Sequence, residues 1–313
     1  MAKQVEELWI LGGVTAAGKT ELSLEWAEHN NAEIISCDSV SFYRGLDIGS
    51  AKPGLSEQQR VVHHGLNLAD ISEVFDVVQF HVYAKEKIRN ILSRGKKVLI
   101  VGGSGFFLNG FLRPVVDDVD VSCEVRKRVL SIYESHGITS LIKELKIYNP
   151  EGFGDLDLNN PVRVIRSLER CIQSGKSLID LQKNFMKLPV PYARFQKKMI
   201  WLDRSDGEIM ERIEKRSQEM IYHGIIEETE EAVRAGIRNH PTLSGAVGYR
   251  EVLDFLGVGG SKEELICSIS KSTRKLVSKQ RKWFRKHFPQ GSRFQINHQK
   301  SVEIDELPWC AGT

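Results

Sequence analysis

The sequence has few cysteines, little net charge and no long apolar segment, and each shortage excludes a class of protein. The five cysteines among 313 residues form no Cys-x-x-Cys pair, so neither a zinc site nor a disulfide framework is expected. A formal net charge of +3 indicates a nucleic-acid partner only if the positive charges cluster. No run of about 18 apolar residues occurs, and the N-terminus carries acids before a short apolar run, which predicts neither a membrane span nor a signal peptide.

These shortages predict a cytoplasmic protein with no membrane partner, which we expect to be a monomer. The length is enough for roughly two domains.

The apolar pattern predicts an α/β fold with a parallel sheet of the kind that carries a phosphate-binding loop. The runs LWILGG and AEIISCDS, at 8–13 and 32–39, read as buried strands, with a helix over 19–29 between them. Such a strand, helix and strand unit is right-handed, so its strands are parallel and their carboxyl ends share an edge. Further strands are predicted at 96–103 and 199–203.

Between the first strand and the first helix stands Gly-x-x-x-x-Gly-Lys-Thr, the phosphate loop of residues 13–20. Backbone N–H groups of such a loop and the following helix N-terminus bind anionic oxygens, with Lys19 as a positive charge. The Thr20 hydroxyl is placed to ligate Mg²⁺, the expected cofactor. The pattern predicts a phosphate or diphosphate at Gly13, Val14, Thr15, Ala16, Ala17, Gly18, Lys19 and Thr20.

Asp38, near the end of the second strand, should lie beside the phosphate loop. It either caps the next turn or acts as a general base toward a second substrate. The polar run SCDSVSFYRGLDIGSAKP, which begins at Ser36, favours the second interpretation because it could line a groove for a large polar substrate.

Other candidate ligands carry less weight. The strand at 96–103 ends in Gly102 and Gly103, where many ATPases have an aspartate that organises water and metal. Asp203 could replace that aspartate, but its surroundings are typical of a strand-to-helix cap. His63 and His64 could be ligands, although paired loop histidines are more often structural.

Residues 117–196 contain helical patterns and no convincing strand, which predicts an all-helical domain inserted into a catalytic core of 1–116 plus 197–313. Its clearest helix has an Asn cap, Pro161 at the first turn and Gly175 at its end. The last twenty residues or so are predicted to form a loosely packed tail.

Two basic segments suggest a nucleic-acid substrate held from both sides. Arg163, Arg166 and Arg170 form one stripe on the inserted helix, opposite apolar positions taken as Val162, Ile165 and Leu168. A second stripe is the acid-free segment 268–288, which presents eight cations and belongs to a long helix predicted at about 262–287. They are Lys271, Arg274, Lys275, Lys279, Arg281, Lys282, Arg285 and Lys286.

Eight ordered segments resemble the tRNA dimethylallyltransferases, also called tRNA isopentenyltransferases. Departures from the family pattern are Val14 for the usual Pro, Ser104 for the common Thr, and Ser278-Lys279 for Lys-Arg. The segments are GGVTAAGKT, SCDSVSFYRGLDIGSAKP, HHGLNL, VLIVGGSGFFLNGF, NNPVRVIRSLERCIQSGKSL, IEKRSQEMI, GAVGYRE and KQRKWFR.

The resemblance implies transfer of a dimethylallyl group from dimethylallyl diphosphate to the exocyclic amine of the adenine 3′ of the tRNA anticodon. It implies Asp38 as general base, Thr15 at the diphosphate oxygens and Arg216 as a stabilising cation. The anticodon stem-loop is the expected partner. Positions expected to contact it, from the family match and the basic helices, are Asp38, Ser39, Val40, Ser41, Ser104, Arg126, Val162, Arg163, Val164, Ile165, Arg166, Gln280, Arg281 and Arg285.

Three alternatives stay open from the sequence. An adenylate isopentenyltransferase would act on a free nucleotide and would need neither the insertion nor two basic stripes. A small-molecule kinase would use the same loop for ATP. A nucleic-acid-binding protein could retain the loop as a structural relic.

Overall fold

The computed structural model describes residues 6–296, 304 and 307–311. The chain divides into two compact units, one formed by the described residues of Met1–Arg113 and Pro191–Thr313, the other by Pro114–Val190. The predicted insertion, 117–196, differs from the second unit at both ends. Residues 191–196 belong to the first unit because Tyr192 and Phe195 pack into its hydrophobic core.

The first unit is built on a mostly parallel sheet, which confirms the predicted fold class. The strands run in the order β3-β2-β4-β1-β5-β6, and β7 pairs antiparallel with β5. The carboxyl ends of β1, β2, β4 and β5 therefore meet at one edge of the sheet. The strands are β1 Glu7–Gly13, β2 Ala32–Ser36, β3 His63–His64, β4 Lys97–Gly102, β5 Gln196–Asp203, β6 Arg293–Gln295 and β7 Cys310–Ala311.

Helices cover the sheet and form the second unit. No helix in the described ranges is long and apolar enough to cross a membrane. The helices are α1 Lys19–His29, α2 Leu55–Arg60, α3 Val77–Ser93, α4 Gly105–Asn109, α5 Cys123–Tyr148, α6 Pro161–Ser174, α7 Leu178–Phe185, α8 Asp206–Tyr222, α9 Ile225–Arg234, α10 Tyr249–Val258 and α11 Lys262–His287.

The core of the first unit follows from its buried strands. Every residue of β2 is buried, and Leu8, Ile10 and Leu99 have no exposed surface. This core fixes the sheet, so the loops at its carboxyl edge start from rigid positions.

The second unit, fully described over 114–190, contains α5, α6 and α7 and no strand, as the sequence predicts. The Asn160 side chain accepts a hydrogen bond from the Arg163 N–H, and α6 stops at Gly175, whose φ is 67°. Val164 and Leu168 face a separate core with Leu141 and Leu145.

The described part of the C-terminal segment is more ordered than the sequence predicts. Leu307 is buried in the core of the first unit, and Trp309 packs against Trp9 and Trp26 at ring distances of 4.9 and 5.4 Å. The expectation of a loose tail is wrong for these residues, because β6 and β7 extend the sheet. The remainder of the predicted tail lies outside the described residues.

Candidate active site

The phosphate loop connects β1 to α1 and is shaped by two left-handed residues. Ala16 has φ 65° and Gly18 has φ 97°, a region where glycine carries little strain. Helix α1 begins at Lys19, so its first N–H groups have no intrahelical acceptor and are directed out of the helix end. The loop and helix start together present a positive surface to an anion.

Two arginines that the sequence analysis did not single out hold the carbonyl side of this loop. Arg212 donates from Nε to the Ala16 carbonyl at 2.6 Å, and Arg204 donates from Nε to the Ala17 carbonyl at 3.0 Å. Both lie on the segment after β5, and their positions were not apparent because their acceptors are almost 200 residues away in the sequence. They fix the orientation of the loop peptides.

Three loop N–H groups are engaged by the protein itself, which corrects the expectation that all eight loop residues face the diphosphate. Val14 donates to the Leu202 carbonyl at 3.2 Å, and Ala17 donates to the Val14 carbonyl at 3.2 Å. Thr15 donates to Gln280 Oε1 at 2.9 Å. The anion-binding groups are therefore concentrated at the start of α1.

A cavity of about 550 Å³ opens beside the loop. It brings together Thr15, Asp38 and Arg216, the three residues expected to take part in the reaction, although they lie on three separate segments. Gly13, Val14 and Ala17 are buried and do not line it. The expected phosphate-loop residues that line the cavity are Thr15, Ala16, Gly18, Lys19 and Thr20.

The cavity wall carries four lysines and arginines and four acids, and two of its cations, Lys19 and Arg216, lie near Asp38. Burial is the main cause that lowers the pKa of Lys19 to about 8, while nearby Asp38 raises it and nearby Arg216 lowers it. Burial also lowers the pKa of Arg216, and Asp38 opposes that shift. Two desolvated cations this close together are stabilised by an anion, so the site is suited to phosphate oxygens.

Asp38 caps the turn, and its position in the cavity is compatible with the predicted general-base role. Its Oδ1 accepts the Val40 N–H at 3.2 Å, which caps the turn after β2. The residue also lines the cavity with Lys19 and Arg216. A carboxylate in this place can accept a proton from a bound substrate while its second oxygen keeps the turn in place.

Ser39 and Ser104 lie together beside Asp38. The Ser39 N–H donates to Ser104 Oγ at 3.2 Å, so the turn after β2 is tied to the end of β4. Ser41 lines the same cavity, and Val40 packs against the core. The turn after β2 and the end of β4 thus bring together five of the fourteen positions expected to contact tRNA, Asp38, Ser39, Val40, Ser41 and Ser104.

Gln280 was expected to contact tRNA, but its side chain is engaged with the phosphate loop and the end of β4. Its Oε1 accepts the Thr15 N–H, and its Nε2 donates to the Gly103 carbonyl at 3.1 Å. A Cβ on Gly103 would lie 2.7 Å from Gln280 Nε2, so a larger residue there would displace the end of this side chain. Gly103, one of the two glycines that replace the usual strand-end aspartate, leaves room for Gln280, whereas Gly102 lies against the Cys37 backbone.

Arg281 is not part of an acid-free surface, contrary to expectation. Its Nη2 lies 2.9 Å from Asp203 Oδ1, it also pairs with Asp206, and only 16% of its side chain is exposed. Asp203 has no exposed surface and also binds Arg293 at 2.7 Å. Asp203 is therefore a buried ion-pair centre, while the cap of α8 is Ser205. The other seven cations of residues 268–288 are exposed.

On the second unit, the positive stripe of α6 is shorter than expected. Arg163 and Arg166 are exposed, although Arg166 Nη1 lies 3.2 Å from Glu169 Oε2 on the same helix, and Arg170 pairs with Asp117. Val162 was assigned to the apolar face and is instead 67% exposed. Val164 is buried instead and Ile165 is partly buried, because these side chains pack in the core that α6 shares with α5 and α7. On α5, Arg126 is exposed.

The two histidines differ. His64 Nε2 lies 2.7 Å from Glu33 Oε2, and Glu33 is fully buried and also bound to Arg94 and Lys96, which confirms a structural role for His64. His63 lines the cavity with Nδ1 2.8 Å from the Val61 carbonyl. Burial lowers the pKa of His63, so its ring is neutral near pH 7.

The donor set of the cavity suits a metal held mainly by substrate. Among the residues that the structure describes, no group of three or more His, Cys, Asp or Glu could hold a metal ion alone. Mg²⁺ in phosphate-loop proteins relies instead on one hydroxyl and on substrate phosphates. Thr20, at the first turn of α1 and in the cavity wall, fits that requirement.

The fold and the cavity define an α/β protein with a phosphate loop and a carboxylate in the same cavity. A family model described as IPP transferase matches residues 41–287. The chain is 43% identical to the tRNA dimethylallyltransferase of Opitutus terrae over 282 residues, which cover 90% of this chain and 91% of that protein. The chain belongs to the tRNA dimethylallyltransferase family, as its sequence segments predict.

Solved structures agree with this assignment. The tRNA isopentenylpyrophosphate transferase of Bacillus halodurans superposes with a TM-score of 0.65 at 30% identity, covering 93% of this chain and 89% of that one. A eukaryotic dimethylallyltransferase acting on tRNA gives a TM-score of 0.78 at 24% identity, covering 93% of this chain and 73% of that one, which supports the fold alone.

Proposed function

We propose that this protein transfers a dimethylallyl group from dimethylallyl diphosphate to the exocyclic amine of the adenine 3′ of the anticodon in tRNA. Family membership supports this reaction. The observation that carries it in the structure is the cavity that joins the phosphate loop, Arg216 and Asp38. This set suits a reaction that removes a proton at one end and releases an anion at the other.

These groups account for the proton and the negative charge that the reaction releases. The bond between the allylic carbon and the diphosphate oxygen breaks, and a bond forms between that carbon and the adenine nitrogen. Asp38 takes the amine proton, which helps because the amine lone pair is delocalised into the ring. Negative charge grows on the leaving diphosphate, and Lys19, Arg216 and the N–H groups at the start of α1 stabilise it.

Mg²⁺ is part of the proposal. Thr20 would hold it, and the ion would supply further positive charge to the diphosphate. Thr15 is assigned to the same oxygens, through its side chain, because its N–H is already bound by Gln280. The reaction proposed needs no ATP.

The tRNA is proposed to contact exposed cations on each unit. On the first unit these are the exposed residues of α11, including Arg285, and on the second they include Arg126, Arg163 and Arg166. Such contacts go mainly to phosphates and give affinity without reading sequence. The target adenine must leave the anticodon stack to reach a buried cavity.

The test is direct. The full chain is incubated with dimethylallyl diphosphate, Mg²⁺ and unmodified tRNA, and the nucleosides are analysed by mass. The expected result is one prenyl mass on the adenosine 3′ of the anticodon, with release of diphosphate. Prenylation of free adenine nucleotide but not of tRNA, or phosphate release from ATP stimulated by tRNA, would contradict the proposal.

A further inference from the structure

Residues 46–53, termed the wall loop, carry three residues of the cavity lining, Ser50, Ala51 and Pro53. The loop contains no helix or strand, so no regular ladder of backbone hydrogen bonds fixes its shape. Ala51 has φ 49°, a left-handed conformation that a non-glycine residue adopts only when its surroundings require it. Other contacts must therefore hold this part of the cavity wall.

Glu228, on α9, supplies three of those contacts, in addition to the bonds that Lys52 Nζ donates to the Tyr43 carbonyl at 2.8 Å and to Asn67 Oδ1 at 2.7 Å. Its Oε2 accepts the N–H groups of Asp47 and Ile48, each at 2.8 Å, and its Oε1 accepts the N–H of Gly49 at 3.1 Å. Three consecutive backbone donors converge on one carboxylate, about 180 residues away in the sequence. Hydrogen bonds to an ionised acceptor are roughly twice as strong as neutral ones, so this is the main tie between the wall loop and α9.

Tyr249, on α10, completes the arrangement. Its hydroxyl donates to Glu228 Oε1 at 2.6 Å, and its side chain has no exposed surface. The ring lies so close to Gly49 that a Cβ there would be 2.5 Å from it. Burial raises the pKa of Tyr249 and the Glu228 carboxylate adds to the shift, so the hydroxyl remains a donor. We term these two residues the Glu228–Tyr249 latch.

The wall loop contributes aliphatic surface to a cavity that is otherwise largely polar. Ala51 and Pro53 line it with Ile34 of β2 and Val101 of β4. A five-carbon prenyl chain gains free energy only where it meets apolar surface. Neither latch residue lines the cavity, so any effect on a substrate is exerted through the wall loop.

We propose that the Glu228–Tyr249 latch positions the wall loop against the prenyl chain of the donor and so determines how much the chain contributes to binding. The inference rests on the proposed function, because it requires a donor whose diphosphate lies on the phosphate loop. The diphosphate itself contacts Gly18, Lys19 and Thr20, which the latch does not touch. Inorganic pyrophosphate therefore serves as a probe of the diphosphate part alone.

The experiment compares Glu228→Gln with the unchanged protein for two ligands. The variant loses the negative charge and places an amide NH₂ where acceptors are needed, so the wall loop loses its tie to α9 while the bonds of Lys52 remain. The KM of dimethylallyl diphosphate is expected to rise about fivefold, the scale of losing contact with one or two buried CH₂ groups. The inhibition constant of pyrophosphate is expected to stay within about twofold.

Two further variants make the result specific. Tyr249→Phe removes one hydroxyl from a ring that keeps its packing, and is expected to shift the donor KM in the same direction by a smaller factor. Glu230→Gln, an exposed residue of the same helix, is the matched control and should change neither constant. The latch proposal would be overturned if the donor KM and the inhibition constant of pyrophosphate rose in parallel. It would also be overturned if neither latch variant raised the donor KM. Absence of prenyl transfer by the unchanged protein would contradict the proposed function instead.

Discussion

At the scale of single residues, Asp38 combines a structural contact with a position in the cavity. One carboxylate oxygen holds the turn after β2 through the Val40 N–H, and the carboxylate is close enough to Lys19 and Arg216 to affect the pKa of each. In the proposed reaction the Asp38 carboxylate takes a proton from the adenine amine and does not bind the tRNA phosphates. Removing its charge should therefore slow the chemical step and leave tRNA affinity nearly unchanged.

Asp38→Asn is expected to lower the single-turnover rate of prenyl transfer by about 10²-fold, the usual scale for a lost general base. The amide oxygen can still accept the Val40 N–H, so tRNA binding should change little. Rapid-quench kinetics with saturating donor and a separate tRNA binding curve measure the two quantities. Asp254→Asn, at an exposed position on α10, is the control. If the single-turnover rate of Asp38→Asn is within a few-fold of the parent rate, the role of Asp38 is only to cap the turn after β2.

Lys19 gives the site a pH dependence of known sign. Its pKa of about 8 in the free protein, lowered chiefly by burial, means that it is charged below pH 8 and largely neutral above. Pyrophosphate binds the charged form, so its affinity should fall as pH rises through about 8, approaching tenfold per pH unit. Calorimetric titrations from pH 6.5 to 9.5 measure this fall.

Lys19→Met distinguishes the titration of the lysine from the titration of pyrophosphate, because pyrophosphate ionises in the same way with both proteins. This variant should bind pyrophosphate more weakly at pH 7 and lose the additional decline above pH 8. If both proteins show the same profile, another group is responsible for it.

At the scale of elements, α11 presents two different sides. Val277 and Phe284 are buried, Gln280 binds the phosphate loop and Arg281 binds Asp203, while Arg285 and six other cations of residues 268–288 are exposed. One helix thus supports the loop with its inner side and offers positive charge with its outer side. Substitutions one turn apart should have unlike effects.

Arg285→Ala is expected to weaken tRNA binding and reduce the magnitude of the slope of log K against log salt by about 0.7 to 0.9, with stability nearly unchanged. Arg281→Ala should instead lower the free energy of unfolding by about 3 kcal/mol, because Asp203 is left buried with one of its cations missing. Salt-dependent tRNA binding and urea unfolding of both variants provide the comparison. An unchanged salt slope for Arg285→Ala would remove α11 from the tRNA contact.

At the scale of the whole molecule, the chain forms two units with separate hydrophobic cores. Leu99 belongs to the sheet core and Leu168 to the helical core, and both are fully buried. All five tryptophans, at positions 9, 26, 201, 283 and 309, lie in the first unit, and 114–190 contains none. Tryptophan fluorescence therefore reports on one unit while circular dichroism reports on both.

Leu168→Ala should destabilise the helical unit by about 3 kcal/mol, because it removes a fully buried side chain and leaves a cavity. Far-UV circular dichroism during urea unfolding should show an earlier helical transition, whereas the tryptophan fluorescence midpoint should stay in place. Leu99→Ala, in β4, is the matched control and should shift the fluorescence midpoint instead. Equal shifts of both signals in Leu168→Ala would show that the units unfold as one.

The sequence by itself determined the strands β1, β2, β4 and β5, each to within three residues of its observed ends, together with the phosphate loop and the helical insertion. These features depend on local periodicity, on glycine and proline positions and on helix caps, which are properties of neighbouring residues. It also placed Asp38 beside the loop, because parallel strands share an edge. Family segments named Thr15 and Arg216 as companions of Asp38, and the cavity brings all three together.

Only the tertiary structure decided which charged residues are free and which are already engaged. Arg281 and Arg285 look equivalent in an acid-free run, yet the acids that engage Arg281 lie 75 and 78 residues earlier in the chain. Arg204, Arg212, Gln280 and Glu228 likewise find their backbone partners across long sequence separations. Hydrogen bonds and ion pairs depend on distances of about 3 Å between atoms, and the folding of the chain, rather than the order of its residues, sets those distances.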